Sequence, residues 1–183
     1  MNIKKIFIIA AICCAFAILV FGVIAFSKNE DASPAIGNTV GTAIGNLAPD
    51  FTIKIVDGQT ITLKDFIGKK ALVITSTASW CPTCIIEAHN FAPVYPQVKD
   101  EVEFLSVSID PTDGNTKLKV FQASTDTPWF YTHPNLRGVH QMIINYKLTR
   151  FEITYIIDKK GIIRFKDREI TKTDTLRNAL LNL

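Results

Sequence analysis

The most conspicuous pattern in the chain is an unbroken apolar block near its start. From Ile6 to Phe26 there are 21 consecutive uncharged residues, all apolar except Gly22. As a helix this block spans roughly 30 Å, the thickness of a bilayer hydrocarbon core. Lys4 and Lys5 precede it, and Lys28, Glu30 and Asp31 follow. The positive-inside bias predicts a cytoplasmic start over residues 1–5 and a single-pass transmembrane anchor over 6–26, with the remainder outside the cytoplasm. The alternative is a cleaved signal peptide, whose apolar stretch usually runs only about 7–15 residues. Only Val23-Ile24-Ala25 resembles a cleavage site, and Ile12 and Cys13 are poor residues to precede a lipidated cysteine. Both main readings export the rest of the chain.

Residues 27–46 are rich in Ser, Gly, Asn, Ala and Thr, and Ala-Ile-Gly-Asn occurs twice. Such a stretch has little to bury and predicts a flexible linker. From Leu47 the pattern turns globular, which predicts a domain over 47–183. Phe51 to Ile55 alternates like a strand, Asp57-Gly58 signals a turn, and Thr60 to Leu63 reads as a hairpin partner. Ala71 to Thr75 and Val102 to Ile109 are runs suited to strands covered on both faces. Between them residues 82–98 predict a helix kinked or ended by Pro93 and Pro96, completing a βαβ unit. Further helices are expected over 117–123 and 136–147, and a short strand over 129–131. A hairpin joins Ile153–Ile157 to Ile162–Phe165, and Asp174 is expected to cap a terminal helix. The sum is an α/β fold with three layers around a central mixed sheet.

Composition fits this division. Apolar residues make up 48% of the chain and charged residues 20%, which is too apolar for disorder. The net charge of +3 comes with no sustained basic run, so no nucleic acid partner is expected. The four cysteines fall into two distant pairs. Cys13 and Cys14 sit inside the apolar block, where they read as small apolar residues. Cys81 and Cys84 belong to Trp80-Cys-Pro-Thr-Cys84, placed where a buried strand ends and a helix begins.

At a helix start, unpaired backbone N–H groups and the positive end of the dipole favour a thiolate. Cysteines in such a C-x-x-C setting have their pKa lowered from about 8.5 to roughly 3.5–7.5. Cys81 is therefore the expected nucleophile, accessible to a partner disulfide. Cys84, one turn deeper and less accessible, is the expected resolving thiol of a reversible Cys81–Cys84 disulfide. A structural zinc site would want four ligands and finds no second cysteine pair in the domain. A purely structural disulfide across so short a loop would stabilise little. No metal or cofactor is assigned. Trp80, Pro82 and Thr83 flank the pair. Trp129 and Phe130 read as core aromatics, and His133 and His140 as loop and helix-face residues.

The segments Asn46-Leu-Ala-Pro-Asp-Phe51, Asp57-Gly58, Leu63-Lys-Asp-Phe-Ile-Gly-Lys69, Trp80-Cys-Pro-Thr-Cys84-Ile-Ile-Glu87 and Tyr155-Ile-Ile-Asp-Lys-Lys-Gly161 resemble the membrane-anchored thioredoxin-like proteins of the TlpA and ResA type, within the redoxin superfamily. The resemblance implies a thioredoxin-like fold and an exported thiol-disulfide oxidoreductase. Its partners would be exported proteins with disulfides or thiols, together with a membrane thiol-electron carrier. It also makes Glu87 a candidate for assisting proton transfer, the alternative being an exposed helix glutamate.

The chain departs from that pattern in three places. Glu152 stands where such proteins carry a cis-proline facing the disulfide, and a trans peptide is expected there, since a cis bond before a non-proline costs about 2.5–4 kcal/mol. Thr75 stands where thioredoxin has a buried acid, so no internal base is evident. His89 replaces a common proline. The Sco copper-delivery proteins carry a histidine at the place of Glu152, and Asp110-Pro-Thr-Asp113 is Sco-like. Copper held by the two cysteines is thus the alternative reading, although the cysteine spacing differs and the histidine is missing. A peroxiredoxin would need Pro and Thr where Ile74 and Ala78 stand.

Overall fold

In the computed structural model, which describes residues 39–183, the chain turns back on itself at Asp57-Gly58. Gly58 takes the positive φ, +89°, that the turn requires. Thr52–Lys54 (β1) consequently pairs antiparallel with Thr60–Thr62 (β2), and the facing Ile53 and Ile61 are both buried. A single 3-10 turn, Leu63–Asp65, follows.

Ala71–Thr77 (β3) and Val102–Ser108 (β4) are buried along their whole length and run parallel to each other. Phe130–Thr132 (β5) extends the parallel part beside β4, while Thr154–Ile157 (β6) lies antiparallel to β3 and Ile163–Asp167 (β7) antiparallel to β6. The resulting mixed sheet has the order β5-β4-β3-β6-β7. The crossover from β3 to β4 is made by Pro82–Phe91 (α1) and Tyr95–Val98 (α2). The predicted helix over 82–98 thus divides where Pro93 interrupts the backbone ladder.

The sheet separates two cores. Leu72, Ile74, Leu105, Val107, Tyr155 and Ile157 point to the side covered by the hairpin and by Val139–Asn145 (α4). Val73, Phe104 and Ile156 point to the other side, under α1, Asn115–Thr125 (α3) and Thr173–Leu181 (α5). Alternation therefore persists inside strands that are apolar throughout, which is what a sheet covered on both faces demands. Trp129 is a core aromatic as expected, its indole N–H donating to Ser106 Oγ at 2.9 Å. Phe130 is half-buried against the hairpin side.

Several boundaries differ from the sequence expectations. The helix expected over 136–147 starts only at Val139, because Gly138 sits at φ +82° with the Thr52 carbonyl where a Cβ would project. Lys172, not Asp174, occupies the N-cap of α5. Asp174 lies in the first turn instead, where it meets the helix dipole and pairs with Arg177 at 2.7 Å. Residues 39–46, the part of the predicted linker that lies among the described residues, are held by backbone hydrogen bonds. Gly41 N donates to Leu47 O and Leu47 N donates to Thr39 O, each at 2.9 Å. Gly45 N donates to Ile163 O at 2.8 Å, and Ile163 N to Asn46 O at 2.9 Å, so the segment lines the free edge of β7. Among the described residues no helix is long and apolar enough to cross a membrane. The anchor predicted over 6–26, with Cys13, Cys14 and the residues before Thr39, lies outside the described residues.

Candidate active site

The chain leaves β3 through Ala78, Ser79 and Trp80 and enters α1 at Pro82, whose missing N–H costs nothing at that position. Cys81 is the N-cap, and its sulfur accepts the backbone N–H of Cys84 at 3.3 Å. Cys81 and Cys84 form a disulfide with their Cα atoms 5.2 Å apart. The geometry is the one that favours a thiolate at Cys81 once the bond opens, because an N–H of the first helical turn is already aimed at its sulfur.

Both cysteines are only 3% exposed, so the accessibility difference expected between them is absent from the oxidised state. Their cover is Glu152. Its Oε1 lies 3.5 Å from Cys81 Sγ and 3.6 Å from Cys84 Sγ, and the Thr83 hydroxyl donates to the same oxygen. Thr83 Oγ1 is also 3.1 Å from Cys81 Sγ. The described residues contain no cis peptide, so the trans bond expected before Glu152 is present. Glu152 takes a left-handed conformation instead, φ +57°, which is uncommon for a residue with a side chain.

Ser76 holds that turn in place. Its backbone N–H donates to Ile153 O, and its carbonyl accepts from Glu152 N, each at 3.0 Å. Its hydroxyl donates to Arg150 O at 2.8 Å and accepts from Ile153 N at 2.9 Å.

Glu87, one turn beyond Cys84 on the buried face of α1, is 2% exposed. This excludes the exposed-glutamate reading. The carboxylate accepts from Thr75 Oγ1 at 2.7 Å and from Thr171 N at 3.1 Å, with Thr154 Oγ1 at 3.4 Å. Burial pushes its pKa up to about 7, against the opposing pull of the Thr75 and Thr171 donors, and the charge of Glu152 adds to the rise. A buried acid is therefore present after all. It reaches the site from the helix and lies against Thr75, the strand residue whose identity had argued against one.

Two further acids fix the loops around the disulfide. Trp80, 58% exposed, donates its indole N–H to Asp110 and meets Phe151 edge-on at 5.5 Å. That indole bond, more than any other contact, holds the Asp110 carboxyl below the usual range. Asp113 is buried and accepts from Ser79 N at 2.9 Å, from the Ser79 hydroxyl, and from Ser108 Oγ at 2.6 Å. It ties the loop before Cys81 to the loop after β4. The Asp110-Pro-Thr-Asp113 motif is visible in the sequence, but this role of Asp113 depends on Ser79, 34 positions away.

His133 is buried, with Nε2 2.8 Å from Asn115 Oδ1 and Nδ1 unpartnered. Burial holds its pKa down against the pull of Asp113. His89 and His140 are exposed, and neither faces the disulfide cluster. Pro82 is exposed on the first turn of α1.

Residues 44–166 match the AhpC/TSA family. The thioredoxin-like protein YneN of Bacillus subtilis is 30% identical over 125 residues, 68% of this chain and 71% of that protein. The thiol-disulfide oxidoreductase ResA of Bacillus thuringiensis subsp. konkukian is 29% identical over 119 residues, 64% of this chain. The matched stretch spans 65% of ResA, just under two thirds of its length. Among solved structures, the thioredoxin domain of a thiol-disulfide oxidoreductase from Bacteroides vulgatus superposes with a TM-score of 0.65 at 23% identity, covering 76% of this chain and 96% of that domain. This last likeness fixes the thioredoxin-like fold.

Proposed function

We propose, from the premise that the chain belongs to the AhpC/TSA family, that this thioredoxin-like thiol-disulfide oxidoreductase exchanges its Cys81–Cys84 disulfide with cysteines of exported proteins, tethered to the outer side of a membrane by residues 6–26. The observation that carries the exchange reading is the N-capping sulfur of Cys81 bonded to Cys84 at the start of α1. The extracytoplasmic placement rests on the apolar block and its flanking charges.

In the reducing direction the Cys81 thiolate attacks one sulfur of a partner disulfide. A Cys81–partner disulfide forms, and the partner's other sulfur leaves as a thiolate. Cys84 then loses its proton and attacks Cys81, so that the internal disulfide re-forms and the second partner thiol is released. Glu152 Oε1, 3.6 Å from Cys84 Sγ, is the carboxylate within reach of that proton. Glu87, one turn deeper, holds a second exchangeable proton near neutral pH. In the oxidising direction the same steps run backwards, with electrons passing from the partner dithiol to the Cys81–Cys84 bond. A membrane thiol-electron carrier would renew whichever form is consumed.

The test is a redox titration of the protein against glutathione and dithiothreitol, with mixed disulfides trapped in the Cys84→Ser variant. A reversible two-electron couple between about −270 and −120 mV is expected, with complete loss in Cys81→Ser. A pair that does not cycle overturns the exchange reading.

A further inference from the structure

One oxygen of Glu152 and the two sulfurs of Cys81 and Cys84 lie within 4.8 Å of one another, and all three residues are buried. We propose that in the dithiol state these three groups bind a divalent zinc ion, leaving a fourth position for water or an incoming thiolate. The site would then hold metal when reduced and release it when oxidised. The proposal shares with the exchange reading only the requirement that the disulfide be reducible.

Spacing is the first support. Zinc bonds of about 2.3 Å to sulfur and about 2.1 Å to oxygen, at a tetrahedral angle, separate the two ligand atoms by roughly 3.5 Å. The observed Glu152 Oε1 to Sγ separations are 3.5 Å and 3.6 Å. The oxygen already stands at the ligand-to-ligand distance from both sulfurs, and reduction frees the sulfurs to part.

Charge is the second. Among the described residues Glu152 takes part in none of the ion pairs. Two thiolates beside a buried carboxylate would place three negative charges in one small volume, and a divalent cation removes most of that repulsion. Two of the three donor atoms are already held by hydrogen bonds, Thr83 donating to Glu152 Oε1 and Cys84 N to Cys81 Sγ.

The donor set selects the ion. Cu(I) is satisfied by two thiolates and gains little from a carboxylate, whereas borderline zinc takes both kinds of ligand.

Loading and release balance with the exchange chemistry. A partner dithiol gives two electrons to the Cys81–Cys84 bond, loses two protons and becomes a disulfide, and the two thiolates formed capture the ion. When a partner disulfide takes those electrons back with two protons, the internal S–S bond re-forms and the ion leaves.

The experiment uses the full chain with Cys13→Ser and Cys14→Ser, so that Cys81 and Cys84 supply the only thiols. The chain is reduced anaerobically with a phosphine that is then removed, the thiols of one aliquot are counted with a chromogenic disulfide, and a second aliquot is titrated with cobalt(II) followed by zinc(II). One cobalt per chain is expected, with thiolate charge-transfer and tetrahedral visible bands that zinc abolishes. The oxidised chain and the Cys81→Ser variant should lack the bands. Glu152→Gln should weaken binding by at least about tenfold at an unchanged thiol count, since even partners that only orient a metal ligand are worth that much. Two counted thiols without cobalt bands, or Glu152→Gln binding as tightly as the parent, overturn the zinc site and leave the exchange reading standing. Cu(I) binding that ignores Glu152→Gln, with no cobalt bands, returns the site to copper handling. A chain in which two thiols never appear overturns both readings.

Discussion

A carboxyl group that keeps its proton to about pH 7 in a nearly dry pocket, as Glu87 does, makes the folded state answer to pH. Between about pH 4.5 and 7 the unfolded chain has already released this proton while the folded chain still holds it. The folded state binds more protons across that window, so the Glu87 contribution makes stability fall as pH rises through it and stay level above. A shift from 4.5 to about 7 corresponds to roughly 3 kcal/mol. Glu87→Gln, which keeps an oxygen for the Thr171 N–H, removes this slope. Urea midpoints at pH 5 and pH 8 should show the variant gaining on the parent by about that amount at the higher pH.

The placement of the two cysteines at the start of a helix was legible in the sequence, because a cysteine N-cap followed by Pro82 is set within one turn. The burial of Glu87 was not, since its partners Thr75, Thr154 and Thr171 come from two strands and a distant loop. The same holds for Glu152, whose substitution was visible but whose contact with both sulfurs depends on a turn built elsewhere.

That turn is tied to the sheet by Ser76, which joins β3 to residues 150–153 by two backbone and two hydroxyl hydrogen bonds. Removing the hydroxyl in Ser76→Ala leaves the Arg150 carbonyl and the Ile153 N–H without their side-chain partner. A loss of about 1–3 kcal/mol is expected in chemical denaturation. Because the turn carries Glu152 in its left-handed conformation, the Ala variant should also expose the reduced sulfurs, seen as faster alkylation of Cys81.

The strands, the hairpins and the βαβ order followed from periodicity, because buried faces impose alternation over several residues. Helix ends did not follow. The start of α4 is set where the Thr52 carbonyl, 86 positions earlier in the chain, fills the space a side chain at Gly138 would need, which no local pattern announces. The polar run Thr75-Ser76-Thr77 inside a buried strand was the one signal available for the turn, since each buried hydroxyl there requires a partner.

For the whole molecule, residues 39–46 extend the domain past the boundary that composition suggested. Gly, Asn and Thr predict a tether when only side chains are weighed, yet this segment is held by its backbone along the edge of β7. A chain beginning at Thr39 should melt close to the parent domain. One beginning at Leu47 loses the Gly45 bond and the Asn46 acceptor and bares the edge, so its midpoint should fall by several degrees. Thermal denaturation of the two truncations separates these outcomes.

The two tryptophans of the chain stand in opposite surroundings, and that contrast has an optical consequence. Trp129 is locked among Tyr95, Phe104 and Tyr131 in the core, whereas Trp80 is exposed and bonded directly to Cys81. A disulfide quenches an excited indole beside it and a dithiol does so far less. The emission of Trp80 should therefore brighten on reduction over a steady background from Trp129, so that the protein carries a built-in fluorescent gauge of its own redox state.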